Sequence, residues 1–331
     1  MRYLVWGTGK RAEEVCSLYN DKFKQVNIDI VGFVDNAKKT FEFNGKRVYT
    51  PSEVLGIEFD YIDIWVINGR ESILEQIEKE LGMSQKYRNV FDEYIQQTQE
   101  QNQNYTGYYE KPSYEIVTAF VDKYGAQQWY KYAYRAFEER KHSYLAYDWI
   151  KHNIAKDSSV LEIACGIGGM LYHLKEDGFS CLTGYDVDVK SIHAAEDLNR
   201  WSHGGINFHV TDAKMPRLQE DYDVMIWVNG MYHLEEYSLD MFYQTHLSAL
   251  SPKGYIAFDM INNHYNDVPN NQIRTDCWNK EVSQQLPTEY KIRMSKEEVV
   301  NISKKYHMEL VEHYELPGTV PHDVYIMRKV E

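Results

Sequence analysis

Along the 331-residue chain, hydrophobic positions fall into short apolar runs separated by amphipathic stretches, and this alternation occurs in two series. In the first, the runs at 3–6, 28–34 and 61–67 read as strands. A helical pattern follows the first run through Tyr19, and another covers 71–81, where Gly82 suits a C-cap. Asn44 and Gly45 open a short hairpin extending to Tyr49. Thr50-Pro51-Ser52-Glu53 then has the form of a helix start, with Thr as N-cap and Pro at the first position. Periodicity is lost between Gln96 and Lys111, a stretch dominated by Gln, Asn and Tyr. Helical patterns resume at 114–124 and 127–153. The second strand series begins at Val160 and continues at 182–185, 207–210, 222–228 and 255–260. A helix over 295–306 and two final strands, 308–316 and 324–328, close the chain.

Such strand–helix alternation predicts an α/β protein built on mostly parallel sheets with helices on both faces. The boundaries expected from it are a Rossmann-like nucleotide-binding domain at 1–95, a linker at 96–112, a helical lid or connector at 113–158 and a second Rossmann-like domain at 159–331. Both domains are expected to be three-layered. The second should end in an antiparallel hairpin.

Composition narrows the partners. At 43% hydrophobic and 26% charged residues, the chain is ordinary globular protein. A formal charge of −14 repels phosphate backbones and anionic lipid, and Lys and Arg are scattered rather than clustered, so nucleic acid and membrane surfaces are not expected partners. The four cysteines, Cys16, Cys165, Cys181 and Cys277, lack CxxC spacing, and the histidines lack ligand spacing, so no metal site and no disulfide framework is expected. No signal peptide and no apolar stretch of about 18 residues is visible, which points to the cytoplasm. The sequence leaves homo-oligomerisation open.

The richest chemistry lies where Val160-Leu161-Glu162-Ile163 runs into Ala164-Cys165-Gly166-Ile167-Gly168-Gly169. An apolar strand entering a glycine turn at a helix start lets backbone approach a ligand closely. Asp186 closes the next strand, where a carboxylate can accept both ribose hydroxyls of a nucleoside. Asp212, after the third strand, can accept from an adenine amino group. Together with 222–234 and Leu250-Ser251-Pro252-Lys253-Gly254, these segments resemble, in order and spacing, the class I S-adenosylmethionine-dependent methyltransferases. That resemblance implies S-adenosylmethionine as cofactor. It assigns Glu162 to the glycine loop and the methionine amino group, and Ala164, Gly166 and Gly168 to the methionine and ribose portions. Asp186 takes the ribose, Asp212 and Ala213 the adenine, and Asn229 also lines the cofactor. Ala164 departs from the commonest pattern, which has glycine there.

Methyl transfer is a direct displacement that requires alignment, with a base needed only for an acceptor carrying a proton. Acceptors bind beyond the carboxyl ends of the strands, which makes Tyr232, His233, Asp259, Asn262, Asn263 and His264 candidates. Among these, His233 and His264 are the expected bases. Tyr130, Tyr132 and Tyr134, on the aromatic stretch before Val160, are expected lid residues.

At the front of the chain, Gly7-Thr8-Gly9-Lys10-Arg11-Ala12, the segment 30–36 and Gly45-Lys46-Arg47-Val48-Tyr49-Thr50-Pro51 resemble the small nucleotide-binding domain of bacterial sugar-modifying and glycan biosynthetic enzymes. The resemblance implies Gly7, Gly9, Lys10, Arg11 and Asp35 as nucleotide contacts and a sugar, nucleotide-sugar or glycan-precursor acceptor. Asp35 follows Gly9 by 26 positions, later than the roughly 20 of a dinucleotide fingerprint. Two alternatives stand beside the methyltransferase: a nicotinamide-dependent sugar-nucleotide oxidoreductase or epimerase using the first domain, and a non-catalytic ligand-binding regulator.

Overall fold

β1 (Arg2–Trp6) is an interior strand of a five-stranded sheet, and its apolar run explains the position: Tyr3, Leu4, Val5 and Trp6 are all buried. In the computed structural model all residues are described except 38–39, 67–68, 103–108, 217, 219–220, 235–236, 265–291, 319 and 331. The chain divides into one unit comprising Met1–Gly107 with Thr118–Lys123 and a second comprising Tyr108–Val117 with Tyr124–Glu331.

In the first unit, α1 (Lys10–Gln25) buries Ala12, Val15, Cys16, Tyr19 and Phe23, a stripe at helical spacing. It is followed by β2 (Asp29–Val34), β3 (Glu42–Phe43), β4 (Lys46–Tyr49), β5 (Tyr61–Ile64), α2 (Arg70–Lys79) and α3 (Val90–Asn102). The strand order is β3-β4-β2-β1-β5, with β1 parallel to both neighbours. The expected hairpin forms: Asn44 and Gly45 take φ of 49° and 70° between the antiparallel β3 and β4. The Thr50–Glu53 capping box also forms, but it opens only a 3-10 turn, Pro51–Gly56. Asp63 is buried on β5 and accepts from the Trp65 indole N–H at 2.8 Å and from the Val90 N–H at 3.1 Å, so it serves the first turn of α3. Burial pushes its pKa up to about 6. Residues 96–102, expected to open the linker, continue α3; the rest of that stretch from 103 to 108 lies outside the described residues.

The second unit opens with α4 (Tyr114–Tyr124), which the two units share, and continues with α5 (Trp129–Arg135) and α6 (Lys141–Asn153). The periodicity over 127–153 reads as one helix, whereas the structure breaks it between Ala136 and Arg140. The break lets the Phe137 ring lie flat on His173, 4.1 Å between centroids, and leaves Arg140 as N-cap of α6. Then come β6 (Ser159–Ile163), α7 (Gly169–Glu176), β7 (Cys181–Asp186), α8 (Val189–Trp201), β8 (Asn207–Val210), β9 (Tyr222–Trp227), α9 (Leu239–His246), β10 (Leu250–Ile261), α10 (Lys296–Lys305), β11 (Met308–Leu316) and β12 (His322–Lys329). Their order is β11-β12-β10-β9-β6-β7-β8. β6 to β10 are mutually parallel, and β11 and β12 form the antiparallel hairpin expected at the end of the chain. This is an α/β architecture with one mixed sheet in each unit.

Gly7 tests the first unit. Its φ is +122°, and a Cβ there would lie 2.7 Å from the Trp65 carbonyl oxygen. Gly7→Ala should therefore destabilise that unit by about 3 kcal/mol, from backbone strain and overpacking together. Urea unfolding followed by tryptophan fluorescence checks this, and an unchanged midpoint would mean that the turn relaxes around the methyl group.

Candidate functional site

Two adjacent parallel strands of the second unit end in residues that side chains seldom adopt comfortably: Ala164 after β6 has φ 55° and Asn229 after β9 has φ 61°. Non-glycine residues held in this region cluster at functional sites because the surroundings must over-determine them. Here they mark the carboxyl edge of the sheet, where open α/β sheets bind ligands.

After β6 the chain turns through Gly166 and Gly168, the latter at N-cap of α7 with φ 80°. The Gly166 N–H donates to Asp186 Oδ2 at 2.8 Å, and the Asp188 N–H to Asp186 Oδ1 at 2.9 Å. Asp186 thus fastens the glycine loop to the end of β7, and burial raises its pKa despite these donors. The Thr211 N–H donates to the Asp186 carbonyl at 2.9 Å, which brings the Asp212 turn alongside. Asp212 is exposed and accepts from the Lys214 N–H, with Ala213 half-buried beside it.

Glu162, on β6 beneath the loop, accepts from the Leu171 N–H. Its Oε2 is shielded from solvent and has no hydrogen-bond partner. Burial and the nearby Asp186 push its pKa up to about 8, against the pull of Arg140. A buried acceptor without a donor is costly. An ammonium group would satisfy it, and the methionine portion of S-adenosylmethionine carries one. With the glycine turn and Asp186, these residues fit that cofactor.

Among the expected lid residues, Tyr130 reaches the loop: its ring occupies the space a Cβ on Gly166 would need, and its hydroxyl bonds Ser191. Tyr134 instead donates to the Pro112 carbonyl at 2.5 Å, and Tyr132 is exposed against Trp129, 5.2 Å between centroids.

Further along the same sheet edge, Asp259 of β10 is fully buried. Its Oδ1 accepts from the Asn229 N–H at 2.7 Å, and its Oδ2 lies 3.1 Å from both the Tyr232 hydroxyl and His322 Nδ1. Burial would raise its pKa, but the His322 hydrogen bond and the Asn229 N–H outweigh that and hold it below the usual carboxylate value. His322 stacks on His142 with centroids 4.6 Å apart and planes at 12°. Burial pulls His142 down to about 3, so that ring is neutral. His233 lies on the short Met231–His233 turn, exposed and tilted against Tyr232, and His264 is exposed beyond β10. The sequence reading omitted His142, His322 and Arg140. The only available signal for His322 was the hairpin register, which pairs it with Ile261, two positions from Asp259.

In the first unit, Gly7 is buried under Trp65, Gly9 is N-cap of α1, and Lys10 is exposed. Arg11 is paired with Asp122 at 2.5 Å, and Asp35 accepts from the Thr8 hydroxyl and the Ala37 N–H. Among the described residues no group of three or more metal-ligating side chains occurs, and no helix is long and apolar enough to cross a membrane.

An α/β unit with this strand order and a glycine turn pinned by a carboxylate at the next strand end is a nucleoside-cofactor binder. Residues 160–254 match the methyltransferase domain family, and residues 1–88 match the family described as C2185-like, N-terminal. The chain therefore carries an S-adenosylmethionine-dependent methyltransferase domain. Similar solved structures include a Pyrococcus horikoshii protein, 18% identical with TM-score 0.47, covering 70% of this chain and 98% of that one. The magnesium protoporphyrin IX methyltransferase of Synechocystis with bound S-adenosylhomocysteine is 12% identical, TM-score 0.46, covering 63% and 93%. The N-methyltransferase NodS of Bradyrhizobium japonicum is 20% identical, TM-score 0.43, covering 59% and 97%. No curated protein matches the chain.

Two outcomes follow for the cofactor side. Asp186→Ala removes both the loop's anchor and a charged acceptor, so S-adenosylhomocysteine affinity measured by calorimetry should fall at least about tenfold. The second outcome concerns Glu162. Folded Glu162 holds its proton more tightly than the unfolded chain does, so its contribution to stability is complete below the ordinary glutamate range. That contribution is lost as pH rises toward about 8. Without cofactor, Glu162→Gln should raise the melting temperature by about 2–4 °C at pH 8.5 and change it little at pH 4; equal shifts at both pH values would contradict the buried-proton account.

Proposed function

We propose that the chain methylates a hydroxyl or amine of a small-molecule acceptor, with His322 taking the acceptor's proton. The single observation that carries this reading is the Asp259–His322 pair at the carboxyl edge of the sheet. Asp259 is ionised, so His322 Nδ1 donates to it, and Nε2 is left as the nitrogen able to accept a proton. Asp259 holds the ring in place and stabilises the imidazolium that forms, while Tyr232 and Asn229 keep Asp259 oriented.

When bound, S-adenosylmethionine supplies the methyl group: its sulfur–carbon bond breaks as the acceptor oxygen or nitrogen forms the new bond, leaving a neutral thioether. Glu162, Asp186 and the Ala164–Gly168 turn would hold it, with Asp212 and Ala213 at the adenine end. Tyr130 closes over Gly166 and keeps water from the loop.

A sugar, nucleotide-sugar or glycan-precursor acceptor is supported by the resemblance of the first 95 residues to domains of sugar-modifying enzymes. The nicotinamide reading has less support, because Arg11 and Asp35 are already engaged by Asp122 and Thr8.

The test is S-adenosylhomocysteine release from S-adenosylmethionine with a panel of sugars, sugar phosphates, nucleotide sugars and hydroxy and amino acids. His322→Asn should lower turnover on the responding acceptor by on the order of 10²-fold while S-adenosylhomocysteine affinity stays within about twofold. His233→Ala should remain near wild type. The reverse pattern would transfer the base to His233.

A further inference from the structure

His142, in the first turn of α6, and His322, at the start of β12, lie flat on one another with ring centroids 4.6 Å apart and planes at 12°. Three groups hold the His322 ring. Asp259 Oδ2 meets its Nδ1 at 3.1 Å, Tyr232 stands nearly perpendicular to it with centroids 5.6 Å apart, and His142 covers one face. Only 14% of the His322 side chain is left exposed.

These contacts restrain different motions. A hydrogen bond at Nδ1 fixes the direction of one ring nitrogen but tolerates a tilt of the ring about the Cβ–Cγ bond, a torsion with a broad minimum in histidine. A flat partner at stacking distance removes that tilt. The plane of the partner is fixed in turn. One terminal nitrogen of Arg140 lies 3.3 Å from His142 Nε2, and the guanidinium rests on the Trp129 ring, 5.1 Å from its centroid. Arginine has only donors, so Nε2 accepts with the lone pair that lies in the ring plane, and the hydrogen of neutral His142 is on Nδ1. Burial pulls His142 down to about 3, so this ring stays neutral and the stacked pair takes up a proton at His322 alone.

We propose that His142 is a positioning residue for methyl transfer: stacked on His322, it sets the plane in which Nε2 of that ring meets the acceptor's proton. This rests on the methyl-transfer reading with His322 as base. His142 acts through His322 rather than on the acceptor. Proton transfer requires the accepting lone pair to be aligned with the proton it takes, and a misplacement of about 1 Å costs on the order of 10² in rate. Two properties of an imidazole serve position 142, and they are separable. The flat ring covers His322, and the Nε2 lone pair meets Arg140.

The experiment separates them with two substitutions in the full chain. His142→Phe keeps a flat ring and gives up the lone pair, whereas His142→Gln keeps an acceptor for Arg140 and gives up the ring. On the responding acceptor, His142→Gln should lower kcat on the order of tenfold while KM and S-adenosylhomocysteine affinity stay within about twofold. His142→Phe should keep kcat within about threefold of wild type. In nuclear magnetic resonance spectra of the free chain, isotope-labelled at histidine nitrogen, the His322 Nδ1–H signal is assigned by its loss in His322→Asn. It should persist in His142→Phe and broaden or vanish in His142→Gln.

The reverse ranking, His142→Gln near wild type and His142→Phe impaired, would make the residue a partner for Arg140 alone and overturn the proposal. Equal kcat in the two variants, whatever its size, would also overturn it. If either variant does not fold, the wild type decides: Overhauser contacts between the His142 and His322 rings support the stack, and their absence overturns it. Wild-type turnover in His322→Asn would sink the base assignment instead, and the spectra of the free chain would still report whether His142 holds the ring.

Discussion

A fully buried ionised carboxylate is tolerated only when its lone pairs are met, and Asp259 imposes that demand on everything around it. Its three donors come from the end of β9, the turn that follows it and the start of β12. Aiming the Asn229 N–H at Oδ1 goes with the left-handed backbone at Asn229, and the chain then folds through a single short turn that buries Tyr232. His322 is drawn in by the same charge. This edge of the sheet is therefore shaped by one side chain, which also engages Nδ1 of His322.

Two buried acids in this cleft are driven in opposite directions, and the difference assigns their roles. Glu162 has Asp186 nearby, one backbone donor and an orphan oxygen, so burial wins and it favours the protonated form. Asp259 has His322, Tyr232 and the Asn229 N–H as hydrogen-bond partners, so its partners win and it stays charged. The first acid favours its neutral form; the second stays an anion and holds the His322 ring. Arg140 lies within electrostatic reach of both and has an ion pair with neither.

The sheet and the glycine loop were readable in the sequence because local pattern determines them. The strands at 207–210 and 308–316 have the predicted ends, and the order Glu162, Gly166, Gly168, Asp186 follows from a strand, a turn and the next strand. What was not readable depends on tertiary contact. No Pro or Gly marks the break between α5 and α6; the stretch Phe137-Glu138-Glu139-Arg140 is unremarkable for a helix, and it is the docking of Phe137 on His173 that accompanies the interruption. That interruption is what places Arg140 where it is. His322 and Asp259 are brought together by antiparallel register, a property of two strands 63 positions apart rather than of either alone. His233, although beside a segment typical of such enzymes, projects outward because the turn buries its neighbour Tyr232 instead.

The two glycine turns of the chain are alike in sequence and differ in what they leave unsatisfied. At the first, Gly7 fits beneath the Trp65 carbonyl, Arg11 is neutralised by Asp122, and Asp35 is met by Thr8 and the Ala37 N–H. Its charged groups, apart from the exposed Lys10, are satisfied from within the unit. At the second, Glu162 keeps an oxygen without a donor, and in the same cleft Arg140 keeps a nitrogen without an acceptor. Native proteins leave few buried polar atoms unpaired, and those they leave call for a reason. A glycine turn alone does not distinguish a packed corner from a binding site. The polar accounting around it helps to do so, and at the second turn it leaves a carboxylate oxygen of Glu162 to be met.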